Sequence, residues 1–319
     1  MRSPRDLFLL LLVASVFLTG VSGVDRAQEK EPTDVIKVNT DLVVFDAQVI
    51  DKKTKRVIGD LGKDDFQITE KGVRQTVSYF SRDELPLSIL LLLDVSGSVR
   101  PILQQIRDGA LNALQHLKSE DEVAVMAFAT ASELVQDFTK DRHLVSERIK
   151  TEMSYERLGR ATFLGPALDS AAIKMAKAPR QNSRRVIIIV TDNIAVTNSK
   201  EEKQIVEGLL DSGTVVYGLI VKAAIGKLVN IVFLGTIHGV NHFVEQTGGE
   251  ILGADKNEVD TKLAEVIDRL RGRYALGFRP ANSTGADEFH PVEIKIDPVK
   301  KRKEKPLVLT KRGYYLRRR

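Results

Sequence analysis

Cysteine and tryptophan are both missing from the 319 residues. The fold therefore has no disulfide framework, and a thiol nucleophile, a cysteine zinc site and an iron–sulfur cluster are all excluded. Histidine is scarce, with five residues, which leaves little for imidazole metal chemistry. Aromatic residues make up only 6%, so leucine, valine and isoleucine must carry the core. Long apolar runs are lacking beyond the first two dozen residues. The strongest later one, Leu87 to Leu93, has the length of a buried strand and is too short for a membrane span.

Acidic charge is short of basic charge by five, but the excess is local. Residues 300 to 319 hold ten Lys or Arg against one acid, and residues 1 to 23 add one further positive charge, so the body between them is mildly acidic. A basic tail of this kind attracts anionic cell-envelope surfaces. Nucleic acid is not an expected partner of an exported chain, and export is what the other end of the sequence indicates.

Arg2 and Arg5 precede an apolar stretch from Leu7 to Leu18, and Thr19-Gly20-Val21-Ser22-Gly23 supplies small residues for cleavage. Residues 1 to 23 read as a signal peptide, with an uncleaved N-terminal anchor as the alternative. The expected location is secreted or periplasmic, with no transmembrane span after cleavage. Residues 24 to 37 are a polar lead-in.

Two grammars follow. From 38 to 84 apolar residues alternate, with Val43, Phe45, Ala47 and Val49 on one parity and Phe66 with Ile68 resuming after a turn. From 85 to 272 continuous apolar strands, Leu87 to Asp94, Val123 to Ala129, Val186 to Thr191 and Val215 to Val221, alternate with amphipathic helices. That pattern predicts an α/β fold, a doubly wound and mainly parallel sheet covered on both faces. Residues 273 to 316 return to alternation through Tyr274, Leu276 and Phe278, then Val292, Ile294 and Ile296. The two β segments are expected to pack together as one small β module flanking the α/β domain, with 317 to 319 as a basic tail. Segment 222 to 246 has no pattern that assigns it.

Chemistry concentrates where the strand Leu91-Leu92-Leu93 runs into Asp94-Val95-Ser96-Gly97-Ser98. In extended backbone, alternation puts Asp94, Ser96 and Ser98 on one side, at the carboxyl end of a strand where open α/β sheets bind ligands. A second apolar strand ends in Asp192, and the loop Gly159-Arg160-Ala161-Thr162 brings another hydroxyl. Oxygen donors without nitrogen or sulfur suit Mg²⁺ or Mn²⁺, with Ca²⁺ also compatible. A helix-capping role for the serines is the alternative for the first cluster taken alone.

These residues resemble the von Willebrand factor A domain, whose metal-ion-dependent adhesion site uses Asp-x-Ser-x-Ser, a loop Thr and a strand-end Asp. The resemblance covers about residues 85 to 272 and implies metal-site roles for Asp94, Ser96, Ser98, Thr162 and Asp192. It implies that the hydroxyls touch the ion while the aspartates act largely through water. The flanks, Asp64-Asp65-Phe66-Gln67-Ile68-Thr69-Glu70-Lys71-Gly72 in front and Tyr274-Ala275-Leu276-Gly277-Phe278-Arg279-Pro280 with Arg312-Gly313-Tyr314 behind, are similar to the VWFA-related family best known from acidobacteria. Where many relatives have glycine, this chain has Asn193 after the strand-end Asp and Arg160-Ala161 before the Thr, so Arg160 and Asn193 become candidate partner-binding residues. Arg160 either repels the cation or reaches an incoming carboxylate.

The implied function is non-catalytic binding: a cation left short of negative charge by neutral hydroxyl ligands takes a carboxylate from an Asp or Glu of a partner protein. A hydrolase using Ser96 or a phosphotransferase using Asp94 is the competing class. Ser96 lacks the Gly-x-Ser-x-Gly frame, and the position two after Asp94 holds Ser96 where a phosphoaspartate enzyme has a second acid.

Overall fold

The structure, a computed structural model, describes residues 42–153, 157–180, 182–193, 199–222, 239–280, 288–297 and 302–316. The segments read from the sequence as signal peptide and lead-in, the tail at 317 to 319 and most of segment 222 to 246 lie outside the described residues.

A six-stranded sheet forms the centre of the α/β half. Its strands are β5 (Leu87–Asp94), β6 (Glu122–Phe128), β7 (Ser132–Thr139), β8 (Arg184–Thr191), β9 (Val215–Val221) and β10 (Ile251–Ala254), in the order β10-β9-β8-β5-β6-β7. All neighbours are parallel except the β6–β7 hairpin. The continuous apolar strands have the physical cause expected of them, because both faces are covered. Alternate residues of β5 point to opposite cores. Leu87, Ile89, Leu91 and Leu93 pack with α1 (Leu103–Ala113), α2 (Arg142–Glu152) and α6 (Val259–Arg271). Leu90 and Leu92 pack with α3 (Leu164–Ala176), α4 (Ser199–Asp211) and α5 (Val240–Thr247). Burying one such leucine contributes roughly 2 kcal/mol. The fold is therefore the doubly wound α/β class that the sequence predicts.

Local chemistry sets the boundaries. Asp141 starts α2 by accepting the Leu144 amide at 3.0 Å, which satisfies one of the first-turn donors. Gly248 ends α5 with a φ of +78°, the left-handed step that a helix terminus favours in glycine. The apolar stripe of α1 continues to Leu117, but the backbone tightens to a 3₁₀ turn over Leu114–His116 and the α-helix stops at Ala113.

The alternating segments form two four-stranded sheets. One has the order β13-β1-β11-β4, built from β1 (Val43–Asp51), β4 (Tyr79–Ser81), β11 (Arg273–Phe278) and β13 (Pro306–Leu309). The other has the order β14-β12-β2-β3, built from β2 (Phe66–Glu70), β3 (Val73–Gln75), β12 (Glu288–Ile296) and β14 (Gly313–Leu316). Strands from both ends of the chain share each sheet: β1 pairs with β11, and β2 with β12, both antiparallel. Phe45, Ala47 and Val49 of one sheet, with Phe66, Ile68, Val292 and Ile294 of the other, close a third core between them.

A buried polar hub joins this β sandwich to the α/β domain. The side chain of Arg184, the first residue of β8, donates to Asp46 Oδ2 at 2.7 Å and to the Leu270 carbonyl at 2.6 Å. Arg273 is fully buried and donates to the Tyr217 hydroxyl at 2.7 Å and to the carbonyls of Asp46 and Gly248 at 3.0 Å. Tyr217 in turn donates to Gln48 Oε1. No helix among the described residues is long and apolar enough to cross a membrane.

Candidate functional site

The connections leave β5 in opposite directions, to β6 on one side and, later in the chain, to β8 and β9 on the other. The crevice between the carboxyl ends of β5 and β8 is thus the topological switch point, where ligand sites of open α/β sheets form. Asp94 ends one of these strands and Thr191-Asp192 follows from the other.

Asp94 is fully buried, and both of its oxygens are engaged. Oδ1 accepts the Ser96 amide at 2.8 Å, and Oδ2 accepts the Thr191 hydroxyl at 2.6 Å. Burial pushes the carboxyl up from its ordinary 3.8 to about 6, against the lowering effect of the Thr191 and Ser96 hydrogen bonds; the charge of nearby Asp192 adds to the rise. Among the described residues no Lys, Arg or His pairs with Asp94. A desolvated carboxylate without a cation is the costly half of an ion pair.

Ser96 is fully buried as well, and its Oγ stands 3.2 Å from Ser98 Oγ, so the two hydroxyls are presented together. The loop carrying Thr162 is tied to this pair through the backbone, Gly97 donating its amide to the Arg160 carbonyl at 2.9 Å. Thr162 itself is buried, two residues beyond that tie. Further backbone bonds fasten the same loop to the β6–β7 turn: Ala131 donates to the Leu158 carbonyl at 3.0 Å, and Phe163 to the Ala129 carbonyl at 2.9 Å. Gly159 has a φ of +86°, and a methyl group there would lie 2.5 Å from Thr130 Oγ1, so the turn needs glycine twice over. The structure thus brings Asp94, Ser96 and Ser98 into one hydrogen-bonded cluster, places Asp192 within electrostatic reach of Asp94, and holds the Thr162 loop against the serine loop.

The two candidate partner-binding residues differ in setting. Asn193 has a φ of 62°, the left-handed backbone that asparagine tolerates, and its Oδ1 accepts the Val240 amide at 3.1 Å, so that oxygen serves to hold the end of β8 to the start of α5. Arg160 is exposed at the rim.

Two residues that matter here were not singled out from the sequence. Thr191 donates to Asp94 and accepts the Asn193 amide at 3.1 Å, so it orients both strand ends. A hydroxyl just before a strand-end Asp was the only available signal. Thr130 accepts the Ala161 amide at 3.1 Å and supports the Thr162 loop from below, for which no spacing rule gives notice.

The donor set fits a hard divalent cation. It consists of carboxylate and hydroxyl oxygens, and its buried carboxylate lacks a cationic partner among the described residues. Ser96, Ser98 and Thr162 would hold such an ion, with Asp94 and Asp192 supplying negative charge behind them.

No curated protein matches the chain. Among solved structures, protein BatB from Bacteroides thetaiotaomicron is 16% identical, with 58% of this chain and 98% of that one covered and a TM-score of 0.45. Proximal thread matrix protein 1 from the mussel byssus, in a form titled as having a zinc-occupied MIDAS motif, is 15% identical over 58% of this chain and 48% of its own, with a TM-score of 0.45. A von Willebrand factor type A protein from Catenulispora acidiphila is 9% identical over 85% of this chain and 73% of its own, with a TM-score of 0.48. The model of the von Willebrand factor type A domain matches residues 89–194, a span that contains every candidate metal-site residue. The strands and loops that build the candidate site thus lie in the stretch of this chain that is similar to the von Willebrand factor type A domain.

Proposed function

We propose that the chain is an exported, non-catalytic binding module that uses a divalent cation at the β5–β8 switch point to hold an Asp or Glu carboxylate of a partner protein. The observation that carries this reading is the fully buried Asp94, without a cationic partner among the described residues and adjacent to two hydroxyls 3.2 Å apart. When bound, the ion supplies a positive centre whose remaining coordination position favours an anionic oxygen. The chain's own residues do the rest. Thr191 and the Ser96 amide fix the Asp94 carboxylate, the Gly97–Arg160 tie fixes the loop that carries Thr162, and the neutral hydroxyls leave charge on the ion for a partner to neutralise.

Catalysis through Ser96 has no support in the geometry, since the hydroxyl facing it is Ser98, which is not a base. Mg²⁺ or Mn²⁺ is the proposed occupant, with Ca²⁺ as a further candidate, and the zinc named for the mussel protein adds a fourth ion to test.

Calorimetric titration of chelator-treated protein with each ion, followed by cation-dependent capture of partners from the native organism, tests the proposal. Wild type should bind one ion, and Asp94→Ala and Ser96→Ala should bind at least tenfold more weakly with an unchanged circular dichroism spectrum. Equal partner recovery in the presence of chelator would overturn the reading.

A further inference from the structure

Arg160 is an unusual neighbour for a cation. Gly97, between the two serines, donates its amide to the Arg160 carbonyl, and a methyl group built on Gly97 would meet that oxygen at 3.2 Å, Arg160 Cβ at 3.7 Å and Arg160 Nε at 4.0 Å. The arginine side chain therefore runs along the backbone that presents Ser96 and Ser98. It is exposed, and among the described residues no ion pair or hydrogen bond engages its guanidinium. Asp94, the buried acid of the cradle, is engaged by the Thr191 hydroxyl and the Ser96 amide instead.

The arginine brings a positive charge and a planar fork of N–H donors to the rim of the serine loop. It opposes a dication arriving at the serines and, once the dication is there, it adds to the pull on an anion. A carboxylate has one oxygen for the ion and a second for the arginine fork, a planar match that a water or a neutral amide does not offer.

Resting on the cation reading above, the geometry points to Arg160 as the specificity residue that couples the two ligands: the cation binds weakly alone and tightly with a carboxylate. The same term discriminates an acidic side chain from its amide. Linkage makes the coupling reciprocal, so the ion strengthens carboxylate binding by the same factor. Like charges at a solvated rim oppose each other by about fivefold in binding constant.

The free Mn²⁺ signal in electron paramagnetic resonance tests this on the whole chain, in chloride buffer, with acetate and with acetamide. Asp94→Ala serves as the blank for acetate complexes in solution. In wild type, acetate should tighten Mn²⁺ about fivefold, while acetamide should have no effect. Arg160→Ala should bind Mn²⁺ alone about fivefold more tightly and lose most of the acetate response. Arg160→Lys should keep the repulsion and lose part of the response, because an ammonium lacks the planar fork.

If Arg160→Ala matches wild type in both buffers while Asp94→Ala abolishes Mn²⁺ binding, Arg160 is a solvated side chain and this inference is overturned, with the cation site intact. If wild type binds no Mn²⁺ with or without acetate, both readings are overturned.

Discussion

Asp94 carries a buried charge that costs the fold stability, and in the proposed function the same charge draws the cation. Its carboxyl ionises near 3.8 when unfolded and at about 6 when folded, because burial opposes the charge. Between those values the folded chain retains a proton that the unfolded chain has released, so stability falls as pH rises, and the full penalty is present above about pH 6. The shift corresponds to roughly 3 kcal/mol at most. In chelator, Asp94→Asn should therefore be more stable than wild type at pH 7 and little different at pH 4, by thermal melting across that range. Added Mg²⁺ should stabilise wild type at pH 7, have little effect at pH 5 where protons compete, and leave Asp94→Asn unchanged at both. The sequence marks Asp94, Ser96 and Ser98 because strand alternation aligns them within one segment. It does not mark Thr191 or Thr130, whose parts depend on which strands and loops become neighbours.

Among elements, the loop from Leu158 to Phe163 has the most exacting backbone. It is fastened to the β6–β7 turn and to the serine loop by main-chain bonds, and Gly159 makes its positive-φ step directly over Thr130. Gly159→Ala adds both a φ penalty and a clash at 2.5 Å, so it should destabilise by more than about 1 kcal/mol in urea and weaken Mg²⁺ binding through the displaced Thr162. Thr162→Ala removes one buried hydroxyl and leaves the main-chain bonds of the loop in place, so it should lower stability in urea by less than Gly159→Ala does while still weakening the ion, a contrast that separates loop shape from ligand loss. The parallel strands were legible because two-sided burial writes itself as unbroken runs such as Val186 to Val190. The inward faces of β1 and β2 were legible from parity. That they fall in two facing sheets was not, since β1 meets β11 and β2 meets β12 more than two hundred residues along the chain, and alternation encodes a face without a partner. Helix α5 was missed because its eight residues follow a stretch with no readable period.

At the scale of the molecule, Arg184 joins the α/β domain to the sandwich through Asp46, and Arg273 joins the sandwich to the α/β domain through Tyr217 and Gly248. Arg273→Met removes a fully buried charge together with its bonds to Tyr217, Asp46 and Gly248. It leaves the Tyr217 hydroxyl and two carbonyls short of a donor, and a loss of about 3 kcal/mol is expected, read as a lower urea midpoint. Mn²⁺ affinity measured below that transition should be unchanged, because the hub and the switch point sit at opposite ends of β8. Those ends are separated by roughly 20 Å of strand. β8 starts at the clamp, finishes beside the proposed cation site, and is bonded on its two flanks to β5 and β9. Tension between a captured ligand and the sandwich would run lengthwise through this interior strand, loading its ladder in shear, so that many bonds must give way together instead of peeling singly from one end.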